Sequence, residues 1–132
     1  MQEKEYKNCF LCGKDNPIGL KLDFYYQGDK ALCDWKSLKV FEGYDGIIHG
    51  GIIASILDEA VAKAILYKGI VAVTSELNVK YLKPFPVNTD VKIIGEVIDI
   101  RKKIIIGKAK IIDKLNTEKV IAKADAKYFI LS

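Results

Sequence analysis

Residues 43–60 read GYDGIIHGGIIASILDEA, and this stretch decides how the rest of the chain is interpreted. A glycine pair directly follows His49, the only histidine of the chain. Glycines let backbone approach a ligand closely, and the first N–H groups of a helix have no partner within that helix. An apolar run then leads to two adjacent carboxylates, Asp58 and Glu59. Free donors and a carboxylate on one short element are the parts of a polar reaction site.

The same stretch opens the one long helix that the sequence predicts, over residues 50–67. Turn residues are almost absent from it, and apolar side chains cover more than half of its circumference. A helix with so wide an apolar surface is buried rather than lying on a surface. The apolar positions are Ile52, Ile53, Ile56, Leu57, Ala60, Val61, Ala64 and Ile65.

The segments on either side of this helix alternate between apolar and polar residues, as strands do. Before it, residues 20–26 and 31–35 predict a hairpin around Gln27-Gly28-Asp29. After it, we expect long strands over residues 71–81, 87–100, 104–113 and 120–130, with the second of these broken by Gly95. A hairpin, a buried helix and a meander predict an α+β fold, in which an antiparallel sheet curls around the helix. The 132 residues suit a single domain over 1–132, with 1–19 as an irregular lead-in.

Charge and hydropathy narrow the class of protein. The net charge of +4 is mild and spread along the chain, so it does not demand nucleic acid. No run of about 18 apolar residues predicts a membrane span. The charged start, without an apolar core behind it, does not resemble a secretion signal, and we expect a cytoplasmic protein.

The chain has three cysteines, an odd number that does not suit a disulfide framework. Cys9 and Cys12 form one Cys-x-x-Cys pair, whereas a zinc ribbon needs two such pairs. Cys33 and His49 are the only other soft ligands. We therefore expect the thiols to pack in an N-terminal turn, and we expect no metal site.

The two helical carboxylates differ in their expected surroundings. Glu59 lies four residues before Lys63, which is the favourable order for an ion pair on a helix surface. Asp58 has no cation three or four residues away, and burying a carboxylate without a partner is costly. Either another part of the fold or another subunit supplies that partner, or the site is kept for chemistry. His49 is expected to fix its turn by hydrogen bonding to backbone.

Four segments together resemble the hotdog-fold acyl-CoA thioesterases of the PaaI type, in the 4-hydroxybenzoyl-CoA thioesterase-like superfamily. The central one is His-Gly-Gly at 49–51, followed after six residues by Asp-Glu-Ala at 58–60. The others are the loop GYDGII at 43–48, the head CFLCGKDNPIGL at 9–20 and the strand LNVKYLKP at 77–84. They span nearly the whole chain in the order that the family shows.

The resemblance implies a fold, an activity and a set of partners. Members of this family wrap a long helix in an antiparallel sheet and form dimers by joining two sheets edge to edge. Their active sites lie at the dimer interface, and pairs of dimers commonly form tetramers. The implied substrate is an acyl-CoA thioester, and no cofactor is implied because coenzyme A enters as part of the substrate.

The resemblance also implies roles for individual residues. Asp58 takes the position of the catalytic carboxylate, as general base or nucleophile, and the N–H of Gly50 that of the oxyanion donor. His49 matches the histidine beside that donor, and Thr74 the hydroxyl that orients water. Further positions that would lie near the substrate are Gly51, Glu42, Glu59 and Ser75.

Position 42 departs from the subgroup, which usually has glutamine where this chain has Glu42. An amide can donate a hydrogen bond to a carbonyl oxygen, and an ionised carboxylate cannot. This difference favours an alternative hypothesis, a hotdog domain that binds acyl-CoA without cleaving it. A third hypothesis is a hydratase or dehydratase, which would need His49 and a carboxylate to converge on one substrate carbon.

Overall fold

A computed structural model describes residues 6–132 as one α-helix packed against a six-stranded antiparallel sheet, with the strand order β1-β2-β4-β5-β6-β3 and a short 3-10 helix over Lys39–Phe41 before the α-helix. The predicted α+β class and the wrapped helix are confirmed. The helix α1 covers Gly50–Tyr67, the bounds expected from the sequence. The strands are β1 (Tyr25–Gln27), β2 (Lys30–Lys36), β3 (Ala72–Tyr81), β4 (Asp90–Arg101), β5 (Ile104–Asp113) and β6 (Val120–Ile130).

The helix lies very close to the centre of the sheet, and two glycines make this approach possible. A Cβ at Gly95 in β4 would overlap the backbone of Ala60, and one at Gly107 in β5 would overlap the side chain of Val61. The predicted break of the strand at Gly95 is therefore wrong. β4 runs through Gly95 without interruption, because this residue makes room for the helix rather than ending the strand.

The first strand is shorter than the sequence predicts. Leu20 and Leu22 are buried, but their N–H groups donate to the carbonyls of Phe10 and Leu11 rather than to a strand. The apolar alternation over residues 20–26 thus reflects packing of the lead-in onto the core, and only Tyr25–Gln27 pairs with β2. Residues 6–19 are irregular, as expected, and hydrogen-bonded turns hold them in place.

β3 is the strand that positions the site, because it is a long strand at one end of the sheet. It pairs with β6 on one side, and within residues 6–132 no strand pairs with its other side. The register shifts between Thr74 and Glu76, which leaves Ser75 as a bulge. Thr74 lies directly opposite Tyr128 in this pairing.

Candidate active site

The start of α1 presents one free backbone donor. His49 is the N-cap, and its Nδ1 accepts a hydrogen bond from the N–H of Gly51 at 2.8 Å. The N–H of His49 donates to the carbonyl of Phe41, and the N–H of Ile52 donates to the carbonyl of His49. Among residues 6–132 these bonds leave the N–H of Gly50 without a protein acceptor. The expected role of His49 as an anchor of the turn is confirmed, and Gly50 is left as the available donor.

The loop before the helix is held by Glu42. Its carboxylate accepts a hydrogen bond from the N–H of Gly46 at 3.0 Å and so closes the turn over residues 42–46. A Cβ at Gly43 would come within 3.1 Å of the Cα of His49, so the loop packs closely on the N-cap. The carboxylate at position 42 therefore has a structural partner in the chain itself.

Asp58 has two hydrogen-bond partners that a comparison of neighbouring positions on the helix could not reveal. The hydroxyl of Thr74 donates to its Oδ1 at 2.7 Å, and the hydroxyl of Tyr128 also donates to Oδ1. The same tyrosine hydroxyl lies 2.7 Å from the backbone carbonyl of Asp58. The partners of Asp58 thus come from β3 and β6. Within the described residues its second oxygen, Oδ2, accepts no hydrogen bond from the protein.

Sequence reasoning missed Tyr128, although it found the strand that carries this residue. Tyr128 is 1% exposed, and it reads as one more apolar position of an alternating strand. Burial raises the pKa of its phenol above the ordinary value, and the hydrogen bond to Asp58 raises it further. The hydroxyl therefore remains a protonated donor toward Asp58. Only the pairing of β3 with β6 showed that this donor lies beside Thr74.

The free donor and the carboxylate lie far apart within one chain. Gly50 and Asp58 are eight residues apart on the same helix, which corresponds to about 12 Å along its axis. A single thioester carbonyl cannot contact both groups of the same chain at once.

A cavity of about 330 Å³ opens beside Gly50, and Tyr81 and Lys83 contribute to its lining. The hydroxyl of Tyr81 donates to the carbonyl of Gly50 at 2.8 Å, which fixes the first peptide of the helix. Ser75 is exposed at the bulge of β3 and does not line this cavity. Of the residues expected near the substrate, Gly51 and Glu42 lie together with His49 along a separate surface cleft.

Glu59 lies on another side of the helix, against the N-terminal turn. Its Oε2 is 3.8 Å from Sγ of Cys9, and Cys12 lies in the same cluster. Burial raises the pKa of the Cys12 thiol well above its ordinary value, and the Glu59 carboxylate adds to this rise. Lys63 lines the same cavity as Glu59, and their expected ion pair stays a prediction.

The sequence of this chain matches that of a known protein family. The sequence profile of the thioesterase superfamily matches residues 45–119, which is more than half of the chain and includes the helix, Asp58 and Thr74. The chain belongs to the thioesterase superfamily.

One relative of this chain is acyl-coenzyme A thioesterase THEM4 of Rattus norvegicus, with 36% identity over 64 residues. The match covers 48% of this chain and 27% of the relative, so the chain accounts for only part of that protein's length.

Solved structures of low sequence identity share the fold. The thioesterase superfamily protein RHA08564 has a TM-score of 0.86 at 18% identity, over 93% of this chain and 63% of that one. The E. coli PaaI protein from the phenylacetic acid degradation operon has a TM-score of 0.76 at 21% identity, over 83% of both chains. The Streptococcus mutans protein smu.793, solved with acetyl-CoA, has a TM-score of 0.77 at 20% identity, over 84% of this chain and 89% of that one. The hotdog fold is thereby confirmed.

Within residues 6–132 no helix is long and apolar enough to cross a membrane.

Proposed function

We propose that this protein hydrolyses an acyl-CoA thioester to the free acid and coenzyme A. The observation that carries the proposal is that α1 presents both an N–H at Gly50 without a protein acceptor among the described residues and a carboxylate, Asp58, that two hydroxyls hold in place. Membership of the thioesterase superfamily and the similarity to an acyl-CoA thioesterase support the choice of reaction.

The proposed reaction uses two atoms that have no hydrogen-bond partner among the described residues, Oδ2 of Asp58 and the backbone nitrogen of Gly50. Thr74 and Tyr128 occupy Oδ1 of Asp58, so Oδ2 faces the substrate or its attacking water. As a general base, Asp58 takes a proton from water while the water oxygen bonds to the thioester carbon. The N–H of Gly50, at the positive end of the helix dipole, stabilises the oxyanion that forms. The C–S bond then breaks, and the leaving thiolate recovers the proton from Asp58.

We infer that each active site is built from two chains. The separation of about 12 Å along α1 supports a site in which Gly50 and Asp58 come from different copies. β3 offers the surface for this association, since a long strand with an unpaired side is a template for pairing with another chain. Val73 and Tyr81 on this strand are each about half exposed, as expected for residues that a second copy would cover.

The coenzyme A portion is proposed to approach along the cavity beside Gly50. The S. mutans neighbour was solved with acetyl-CoA, and its fold is that of this chain. Lys83 lines this cavity, so its ammonium is the cation that we propose for a phosphate of coenzyme A.

The first test removes the base. Asp58→Asn keeps the shape of the side chain and should lower turnover of an acyl-CoA at least about 100-fold, because general-base catalysis contributes about that much. Thiol release should be measured over short, long and aromatic acyl-CoAs, with circular dichroism to show that the variant is folded. Near-normal turnover in the folded variant would exclude Asp58 as the base.

The second test removes one hydrogen-bond donor. Gly50→Pro deletes the N–H at the first position of a helix, where proline is well tolerated, and the ψ of 136° at His49 suits a residue before proline. We expect kcat to fall about 100- to 1,000-fold, as for the loss of one oxyanion donor. Gly50→Ala is the matched control, because it keeps the N–H and its Cβ would lie 3.6 Å from Tyr81. An equal loss of kcat in both variants would show that the N–H of Gly50 does not stabilise the oxyanion.

The alternative hypothesis, a hotdog domain that binds acyl-CoA without cleaving it, is based on Glu42. In the structure the carboxylate of Glu42 closes the turn of the loop before α1. Thermal stabilisation by acyl-CoA without thiol release, in the wild-type protein, would favour binding over hydrolysis.

A further inference from the structure

The N-terminal turn and the helix bring three metal-ligating groups together. The Sγ atoms of Cys9 and Cys12 and a carboxylate oxygen of Glu59 all lie within 4.8 Å of one another. All three residues are partly buried. The proposed hydrolysis uses none of these groups, so they call for a separate explanation.

The turn that carries the two cysteines is tightly built. The N–H of Gly13 donates to the carbonyl of Cys9 at 2.9 Å, and any Cβ at Gly13 would overlap the backbone of Cys9. The N–H of Asp15 also donates to the carbonyl of Lys7, so the turn is closed at both ends. Both thiols therefore project from one rigid loop toward the helix.

The distances suit a thiophilic ion of zinc size. Bonds of about 2.3 Å to sulfur and about 2.1 Å to oxygen place tetrahedral ligands about 3.6–3.8 Å apart. Sγ of Cys9 already lies 3.8 Å from Oε2 of Glu59, and no pair of ligand atoms needs to close by more than about 1 Å. Soft thiolates with one carboxylate select zinc over calcium or magnesium, which prefer oxygen ligands alone.

We propose that Cys9, Cys12 and Glu59 bind one Zn²⁺ ion, which ties the N-terminal turn to α1. Each thiol gives up its proton to solvent on binding, so one Zn²⁺ replaces two protons. Glu59 binds as the ionised carboxylate and releases no proton. The fourth position faces a cavity of about 620 Å³ and is open to water or a small anionic ligand. Lys63 lines that cavity, and its positive charge offsets the extra negative charge of two thiolates and a carboxylate.

This site differs from what the sequence predicts. A single Cys-x-x-Cys pair lacks the second pair of a zinc ribbon, and the chain has no free histidine near it in sequence. The third ligand lies 47 residues after Cys12, on a helix that only the fold brings to the turn.

The test is direct metal binding to the reduced 132-residue chain. Zn²⁺ should bind at one ion per chain in competition with a chromophoric chelator, and should raise the melting temperature. Co²⁺ in its place should show the charge-transfer absorption of thiolate ligation. The double variant Cys9→Ala with Cys12→Ala should lose both signals. Loss of a residue that only hydrogen-bonds to a metal ligand costs about 10- to 100-fold in affinity. Because Glu59 is proposed as a direct ligand, Glu59→Gln should weaken Zn²⁺ binding by more than that.

Cys33→Ala is the matched control, because Cys33 is buried in the core away from this cluster. It should keep the Zn²⁺ affinity and the Co²⁺ spectrum of the wild-type protein. The proposal is overturned if the reduced wild-type chain binds no stoichiometric Zn²⁺, or if binding survives in the folded double variant. Neither outcome depends on thioester hydrolysis, so the two proposals can fail separately.

Discussion

At the scale of single residues, the hydrogen bonds at the helix start divide the roles of neighbouring groups. His49 accepts a hydrogen bond from the N–H of Gly51, and among residues 6–132 the N–H of Gly50 has no protein acceptor. Thr74 and Tyr128 both donate to Oδ1 of Asp58, and among the described residues Oδ2 accepts no hydrogen bond from the protein. The two atoms that we propose for the reaction are thus those that hydrogen bonds within the described chain leave available.

Tyr128→Phe tests this arrangement, since it removes the buried hydroxyl on Asp58 and keeps the ring. The free energy of unfolding should fall by about 1.5–3 kcal/mol, the usual range for a hydrogen bond to a charged group. Turnover should also fall, with kcat affected more than KM, because Asp58 loses one of its two positioning donors. Urea denaturation and steady-state thiol release measure the two effects.

Tyr25→Phe is the matched control, because the hydroxyl of Tyr25 donates to Asp34 at 3.0 Å on an exposed part of the sheet. It should lower stability by less than about 1 kcal/mol, as expected for a solvent-exposed bond, and leave turnover unchanged. If Tyr128→Phe behaves in the same way, Tyr128 does not position Asp58.

At the scale of elements, the contact between the helix and the sheet places Asp58 near its partners. β4 and β5 have glycines where the helix crosses them, so α1 lies against the sheet backbone at Gly95. The buried side chains Ile56, Leu57 and Val61 fill the space around this contact. A shift of the helix away from the sheet would separate Asp58 from Thr74 and Tyr128.

Gly95→Ala should therefore destabilise the protein by at least about 3 kcal/mol, because the new methyl group meets the helix backbone at Ala60. Gly107→Ala is the comparison, since its methyl group overlaps a side-chain atom of Val61 rather than helix backbone. We expect the second cost to be smaller, about 1–2 kcal/mol. Urea denaturation of both variants decides this, and equal costs would contradict a close contact of helix and sheet backbones at Gly95.

At the scale of the whole molecule, the dimer that we propose would have each chain contribute one group to each of two sites. Its Gly50 would serve the Asp58 of a second copy, and its own Asp58 would serve the Gly50 of that copy. A two-fold dimer through β3 satisfies both demands at once, because the same surface is used on each chain.

Mixing inactive variants tests this sharing. Chains with Asp58→Asn and chains with Gly50→Pro should be refolded together in equal amounts. Random pairing makes half of the dimers mixed, and each mixed dimer has one intact site, so about a quarter of wild-type activity should return. A mixture of Asp58→Asn with Asp58→Ala is the control and should stay inactive. No recovery in the first mixture would place each site within one chain.

The sequence by itself determined the helix and most of the strands. The bounds of α1, β5 and β6 match those expected, because long periodic segments depend on local pattern and burial. It also indicated Asp58 and the glycine pair as candidate site residues and predicted that His49 bonds the backbone of its turn, and these are features of a single contiguous segment. It misplaced β1 and the break at Gly95, since pattern alone does not show which buried residues pair in a sheet.

Only the tertiary structure decided what each of these groups contacts. Tyr128 reaches Asp58 across 70 residues of chain, and Glu59 reaches Cys9 across 50. A helical projection compares residues on one element, so it left Asp58 without a partner and did not show that Cys9 lies beside Glu59. The pairing of β3 with β6 and the packing of the lead-in on α1 supply these contacts, because hydrogen bonds depend on distance in space and not along the chain.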